Sequence, residues 1–279
     1  MISFVSLVVI ASANAIWQMI EAISPNGDLY SDPSNRMVLP FPFPDNKPAD
    51  RFDLHPASID VETFTFMGRT RFRHLLNQLS DCSKESTTLS EGAPLNDDSA
   101  FSSTQVGLSA PPLSLCTGDI PEIFLYGTIG WGKSHLLAAM VCLLMRNGRK
   151  VVYLPDCRAM LQYPVRYFSS ALVLTFASDP IIQQQAAALE TDDQIIRFCN
   201  QFVDLIFIVD EWNALDPEMK HDSLEKSNLR SLIYRAACVN DLVMAASANN
   251  LTGREIRAGK QLNMNVQTLF GGLDKVSHI

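Results

Sequence analysis

One glycine-rich segment limits what this chain can fold into more than any other feature. The segment reads Gly127-Thr128-Ile129-Gly130-Trp131-Gly132-Lys133-Ser134 and matches G-x-x-x-x-G-K-[ST] at every fixed position. Glycines allow successive backbone N–H groups to curl inward around a phosphate. We therefore expect the whole segment to bind phosphates, with Lys133 supplying a positive charge and Ser134 a hydroxyl ligand for Mg²⁺.

The residues on either side of this loop provide the structural context that the motif requires. Ile123 to Tyr126 is apolar and predicts a short strand that enters the loop. Ser134 to Arg146 is rich in helix formers and stops at Asn147-Gly148, which predicts a helix whose positive N-terminus faces the bound anion. A chance match in an ordinary turn would lack this strand and this helix.

A second motif lies about 75 residues further along the chain. Leu205 to Val209 is fully apolar, as in a buried parallel strand, and Asp210-Glu211 follows it directly. This is the Walker B pattern, which carries carboxylates to the ligand-binding edge of an α/β sheet. We expect Asp210 to hold Mg²⁺ through its water shell and Glu211 to act as the general base.

A third apolar run, Leu242 to Ala246, predicts a strand that ends in the polar cluster Ser247-Ala248-Asn249-Asn250. Such a cluster occupies the sensor-1 place of additional-strand ATPases, where a side chain orients the attacking water. Asn249 is the first candidate, Ser247 and Asn250 are rivals, and a simple Asn-rich turn is the alternative. No arginine finger is assigned, since Arg254 and Arg257 could equally be exposed helix residues.

The alternation of strands and helices predicts an α/β fold with a parallel sheet flanked by helices. Together with the motifs above, this alternation predicts the P-loop NTPase fold of the additional-strand type, plus an irregular N-terminal extension. Further predicted elements are a strand at Val151 to Leu154 and helices at Ser169 to Ala177, Ile181 to Phe202 and Leu224 to Cys238. The predicted organisation is an N-terminal helix and Pro-rich extension (1–56), a strand and helix leading into the core (57–80), a flexible insertion (81–118) and a C-terminally truncated ATPase core (119–279).

The N-terminal residues allow two interpretations. Met1 to Ala15 is apolar and ends in a small-residue pattern typical of a secretory leader, but it has no Lys or Arg before the apolar run. The alternative is a helix, from Met1 to Ile23, that docks on the domain. The apolar run is too short to span a bilayer, so we expect no membrane span. Ser24 to Pro56 contains several prolines and predicts an extended segment over the surface.

Composition excludes some functions and leaves others open. The formal net charge of -8 offers no broad basic surface, so nucleic-acid binding is not supported. The densest basic strip, from Arg69 to His74, is typical of a solvated helix face. Gly68-Arg69 also stands where some related ATPases contact adenine. The six cysteines form no CxxC pair, so we expect reduced thiols and no structural zinc.

Several runs together resemble a known family. They are YGTIGWGKSHLLAAMVCLLMRNGRKVVYLPDCR (Tyr126 to Arg158), FIVDEWNALD (Phe207 to Asp216), AASANN, LHPASID…FTFMGR (Leu54 to Arg69) and KQ…LFGGLD (Lys260 to Asp274). They resemble the P-loop ATPase module of Crinkler effectors and the related retrotransposon-hot-spot proteins. YLPDCR and VDxxNALD are the most specific parts, and the similarity covers roughly Pro40 to Lys275, except for the insertion.

The resemblance implies Mg²⁺-dependent ATP binding and a location in the nucleus or cytoplasm, sometimes after secretion into a host. The chain departs from the family pattern in two ways, because it has no evident ubiquitin-like header and it ends at Ile279. We therefore expect no nuclease activity, no lid and no fifth strand. The leading function is ATP hydrolysis. The alternatives are a nucleotide-responsive binding module or secreted effector, and an inactive fragment. A homo-oligomer and a nuclear or host protein partner stay open.

Overall fold

The computed structural model describes residues 4–45, 51–58, 61–88, 122–127, 132–217, 223–247 and 265–269. Its helices are α1 (Phe4–Ala22), α2 (Gly27–Ser31), α3 (Thr70–Thr88), α4 (Lys133–Arg146), α5 (Cys157–Gln162), α6 (Pro164–Thr175), α7 (Pro180–Ala187), α8 (Asp192–Cys199) and α9 (Leu224–Ala236). Its strands are β1 (Arg36–Pro40), β2 (His55–Pro56), β3 (Glu62–Met67), β4 (Glu122–Gly127), β5 (Lys150–Leu154), β6 (Leu205–Val209), β7 (Asp241–Ser247) and β8 (Asn265–Leu269). A 3₁₀ turn follows β6 at Trp212–Leu215.

The larger sheet has five strands in the order β5-β6-β7-β4-β8, and its pairings are all parallel. β7 therefore lies between β4 and β6, although it follows both in the chain. All five residues of β6 are buried, as expected for a parallel strand covered on both faces. The predicted α/β fold with a parallel sheet flanked by helices is confirmed.

The register brings the carboxyl ends of these strands together. Leu154 at the end of β5 pairs with Val209 at the end of β6, and Gly127 at the end of β4 pairs with Ser247 at the end of β7. Because parallel strands end at the same edge, the loops that leave β4, β5, β6 and β7 share one side of the sheet. This edge is where the predicted site residues lie.

Helix α4 is the central helix of the molecule. Every residue from Leu136 to Met145 is buried, so the helix is apolar on all sides, as is typical of a helix enclosed by other elements. The backbone N–H of Asn147 donates to carbonyl oxygens of the last turn, and Gly148 follows in the left-handed region with φ +78°. The predicted Asn-Gly helix stop is confirmed.

The predicted N-terminal helix is present as α1, and it packs on α4, α6, α7 and β1. Ala13, Ile16 and Ile20 on one side of this helix are buried in the core. The side-chain oxygen of Asn14 accepts a hydrogen bond from Nε2 of Gln183 at 2.8 Å, which ties α1 to α7. Within the described ranges, no helix is long and apolar enough to cross a membrane.

The expectation that residues 24–56 lie extended over the surface is wrong in part. The segment includes the short helix α2 and the strand β1, which forms one edge of a three-stranded antiparallel sheet in the order β1-β3-β2. Phe41 and Phe43 are fully buried because the proline-flanked aromatic rings fill space between this small sheet and the larger domain. The prediction that the prolines exclude a central strand is confirmed, because β1 is an edge strand and it ends at Pro40.

Several predicted helix boundaries are also corrected. The helix after β3 continues to Thr88, into the predicted insertion, whose residues 89–118 lie outside the described part. The predicted helix Ile181 to Phe202 is two helices, because Thr191 and Gln194 form a capping box that starts α8 anew. The predicted helix Ser169 to Ala177 begins earlier, at Pro164, since Pro is favoured in the first turn. The helix α5 was not predicted.

Two further expectations are overturned. The sheet does have a fifth strand, β8, which pairs in parallel with β4 from Ile123↔Asn265 to Gly127↔Leu269. The expectation of reduced cysteines holds for the buried thiols of Cys142, Cys157 and Cys199, but Cys238 is disulfide-bonded. Disulfide formation depends on how close two cysteines lie in space, and their spacing along the chain does not reveal this distance.

Candidate functional site

Glycine is required at both ends of the glycine-rich segment. A Cβ atom at Gly127 would lie 2.0 Å from the carbonyl oxygen of Leu269 in β8, so only glycine fits there. Gly132 has φ +68° and precedes the first residue of α4. Thr128, Ile129, Gly130 and Trp131 lie outside the described residues. The segment therefore runs from the end of β4 to the N-terminus of α4, as the motif predicts.

Lys133 begins α4 and folds back on the strand that precedes the segment. Its Nζ donates a hydrogen bond to the carbonyl oxygen of Gly127 at 3.0 Å. Burial lowers the pKa of Lys133 below its ordinary value, while the nearby Asp210 and Glu211 carboxylates oppose this effect. An anion that arrived beside this ammonium would favour its charged form. Lys133 is thus suited to bind a negatively charged group.

The end of β6 places a buried carboxylate next to the start of α4. The backbone N–H of Asp210 donates to Leu154 at 2.9 Å and so extends the pairing of β6 with β5. The side chain of Ser134 lies near enough to the Asp210 carboxyl group to favour its charged form and so to lower its pKa. Burial raises the pKa of Asp210 above its ordinary value, although Arg51, Ser134 and the backbone N–H of Glu211 act in the opposite direction.

This Ser134–Asp210 contact joins the two motifs that the sequence predicts separately. A hydroxyl and one carboxylate form the small protein ligand set that Mg²⁺ uses when phosphates and water complete its coordination. Within the described residues, no group of three or more His, Cys, Asp or Glu side chains is arranged to hold a metal ion. The pair Ser134 and Asp210 is therefore where the donor chemistry fits Mg²⁺.

Glu211 has an unusual backbone conformation. Among the non-glycine residues that the structure describes, it alone has a positive φ, at 58°. This left-handed conformation costs about 1–2 kcal/mol for a residue with a side chain. Strain of this kind collects at functional sites, where the surrounding structure holds it in place. Glu211 adopts this conformation directly after Asp210, where the chain turns sharply between β6 and the 3₁₀ turn.

The Glu211 carboxylate is held by two arginines. Nη2 of Arg158, in α5, donates to Oε2 of Glu211 at 2.9 Å. Nη1 of Arg51 lies 3.4 Å from Oε1 of the same carboxylate. The site therefore contains the predicted base, but both of its oxygen atoms contact cations.

Arg51 is a site residue that the sequence analysis missed. It contacts Asp156, Asp210 and Glu211, and its Nη2 also donates to the carbonyl oxygen of Pro155 at 2.9 Å. Burial lowers the pKa of Arg51, but the Asp210, Asp156 and Glu211 carboxylates together raise it above its ordinary value. No local motif marks this residue, because its partners lie more than a hundred positions away in the chain.

Asp156 and Arg158 were quoted in the sequence analysis only as letters of YLPDCR. Asp156 is the N-cap of α5, where its Oδ1 accepts from the backbone N–H groups of Arg158 and Ala159. The cap fixes the turn that follows β5 and so positions Asp156 and Arg158 beside the acidic pair. YLPDCR is one of the most specific parts of the family resemblance, and this was the signal that could have identified Asp156 and Arg158 as site residues.

The strip from Arg69 to His74 is a solvated helix face at Arg71, Arg73 and His74, as predicted, but not at Arg69, which is half-buried. A Cβ at Gly132 would lie 2.6 Å from Nη2 of Arg69, so this guanidinium reaches the N-terminus of α4. Arg71 Nη1 donates to the carbonyl oxygen of Thr268 in β8 at 3.3 Å, and Arg73 pairs with Asp28. The weak Gly68-Arg69 signal thus corresponds to a residue beside the glycine-rich segment.

The structure describes the predicted sensor segment only as far as its strand, β7. β7 ends at Ser247, which pairs with Gly127, so the strand leads to the same edge as the glycine-rich segment. Asn249, Asn250, Arg254 and Arg257 lie outside the described residues. Their assigned roles stay predictions.

Comparison with known proteins adds no relative. Neither the protein-family models nor the curated proteins include a significant match to this chain. The structure is that of an α/β protein with a five-stranded parallel sheet, which is compatible with a P-loop-like fold.

Proposed function

We propose that this protein is an additional-strand P-loop NTPase that binds ATP with Mg²⁺ and hydrolyses it. The observation that carries the proposal is the position of Ser134 beside the buried Asp210 carboxyl group, next to the half-buried ammonium of Lys133. The strand order β5-β6-β7-β4-β8 supports it, since one strand is inserted between the two motif-bearing strands. The motif resemblance to Crinkler and retrotransposon-hot-spot ATPase modules supports the same class.

Each predicted site residue has a role in this proposal. Lys133 binds the charge of the β- and γ-phosphates, and the N-terminus of α4 faces the same anion. Ser134 and Asp210 hold Mg²⁺, which supplies charge stabilisation when it is bound. Glu211 accepts the proton of the attacking water at its carboxylate. Asn249 is proposed to orient that water.

Lys133→Ala is expected to abolish nucleotide binding while the fold survives, because this side chain supplies the charge that faces the phosphates. The measurement is the rise in melting temperature that Mg·ATP causes in wild type and variant. Lys150→Ala is the matched control, since Lys150 begins β5 at the opposite edge and pairs with Asp204. The proposal fails if wild-type protein shows no ligand-dependent rise.

A second candidate is a nucleotide-responsive binding module with little turnover. The ion pairs of Glu211 with Arg158 and Arg51 favour it, because both oxygen atoms of this carboxylate already contact guanidinium groups and are not open to an attacking water. Phosphate release measured on the same wild-type sample separates the two functions. Tight binding with steady release supports the ATPase, and tight binding without release supports the module.

A further inference from the structure

Arg51 reaches the candidate site from the N-terminal part of the chain. Its Nη1 lies 3.3 Å from Oδ2 of Asp210 and 3.4 Å from Oε1 of Glu211. Its Nη2 lies 3.1 Å from Oδ2 of Asp156. One guanidinium therefore contacts both carboxylates of the acidic pair and the cap of α5. These contacts balance part of the negative charge that the three carboxylates bring to the site.

The main chain beside Arg51 is firmly anchored. Phe52 is buried, and its ring stacks on His135 in the first turn of α4 with centroids 4.4 Å apart. The same ring packs edge-on against Phe41 and Phe64. The backbone at Arg51 is thus held next to the helix that begins at Lys133. The guanidinium at the end of the side chain is held in turn by Asp156, Asp210 and Glu211.

Binding of Mg²⁺ at Ser134 and Asp210 would change the balance of charge around Arg51. The metal ion would bring two positive charges to the carboxylate that Nη1 of Arg51 contacts, and like charges at this distance repel each other. The nucleotide would bring a terminal phosphate to the same edge of the sheet. A guanidinium fork matches a phosphate in both charge and shape.

We propose that Arg51 is a specificity-determining residue of the nucleotide site. It pairs with Asp210 and Glu211 when nucleotide is absent, and it pairs with the terminal phosphate when Mg·ATP is bound. A diphosphate lacks that phosphate and leaves Arg51 on its carboxylates, so the site prefers the triphosphate. This inference rests on the function proposed above and names the residue that distinguishes ATP from ADP.

The test compares the dissociation constants of Mg·ATP and Mg·ADP by calorimetry. Arg51→Gln is expected to lower the preference for ATP over ADP about tenfold or more, the size of one lost charge-assisted hydrogen bond. Arg51→Lys keeps a charge but loses the fork, so an intermediate loss is expected, and it covers the case in which Arg51→Gln does not fold.

Arg166→Gln is the matched control. Arg166 pairs with Asp45 at 2.9 Å and so anchors the same N-terminal segment, but it contacts neither carboxylate of the acidic pair. Its variant should keep the wild-type preference for ATP. If wild type binds both nucleotides and neither Arg51 variant changes their ratio, the role of Arg51 is refuted while nucleotide binding stands. If wild type binds neither nucleotide, the proposed function and this inference both fail.

Discussion

Gly132 combines two constraints at a single residue. Its φ of +68° lies in the left-handed region, and the head of Arg69 fills the space that a side chain would occupy. Gly148 has a similar φ of +78°, but no atom lies within 4 Å of the place of its missing Cβ. The two glycines bound the same helix, so their comparison separates backbone strain from crowding at the site.

Gly132→Ala and Gly148→Ala should each lower the free energy of unfolding by about 1–2 kcal/mol, because both force alanine into the left-handed region. Only Gly132→Ala should also weaken Mg·ATP binding, since Arg69 must move and the N-terminus of α4 shifts with it. Urea denaturation measures the first effect, and the Mg·ATP-dependent thermal shift measures the second. Equal nucleotide binding in both variants would show that Arg69 yields without disturbing the glycine-rich segment.

The sequence predicted some residues of the site and could not predict others. Lys133, Ser134, Asp210 and Glu211 were found because each motif sits on a strand end that the sheet then aligns. Arg51 could not be found, because its role depends on a fold contact with a residue 159 positions away. Local spacing carries no information about such a contact.

At the scale of elements, His135 joins the first turn of α4 to the aromatic residues Phe52 and Phe64 from the N-terminal part of the chain. Its ring stacks on Phe52 and meets Phe64 edge-on at 5.8 Å. Burial lowers the pKa of His135 below its ordinary value of 6.5, and the Arg69 guanidinium adds to the lowering. The folded protein therefore favours the neutral ring, whereas the unfolded chain takes up a proton near that ordinary value.

Between its folded pKa and 6.5, the unfolded chain holds more protons at His135, so stability falls as pH drops through this window. His135→Phe keeps an aromatic ring on Phe52 and removes the titration. Its melting temperature should fall less than that of wild type between about pH 7 and pH 5. Parallel profiles for wild type and His135→Phe would contradict the assignment.

Elements with a strong apolar pattern were predicted well, and weakly patterned ones were not. β6 and α4 are buried on all sides, and their unbroken apolar runs stand out in the sequence. β8 was missed because Asn265 to Leu269 is largely polar and mostly accessible on an edge of the sheet. The break between α7 and α8 was missed although Thr191 and Gln194 carry a capping-box signal.

At the scale of the whole molecule, α1 is part of the core on which the site depends. Ile16 in this helix is 2% exposed, whereas Leu7 in the same helix is 53% exposed. The helix packs on α4, whose first residues line the candidate site. The contribution of this packing to stability can be tested without shortening the chain.

Ile16→Ala should lower the free energy of unfolding by about 2–5 kcal/mol, because it leaves a cavity in the core. Leu7→Ala removes a similar side chain from an exposed position and should have a much smaller effect. Urea denaturation of both variants gives the comparison. Similar values would mean that α1 does not share the cooperative core.

The Arg51–Asp210 contact also has a consequence for the order in which the protein assembles. It closes a loop of 159 residues, and contacts so distant in the chain form late because their closure costs the most entropy. During synthesis, Arg51 leaves the ribosome long before the acidic pair exists. A newly synthesised chain would therefore contain the aromatic residues around Phe52 before β6 and the acidic pair complete the charge balance of Arg51. Ligand-binding competence would then report that the chain has folded at least as far as β6.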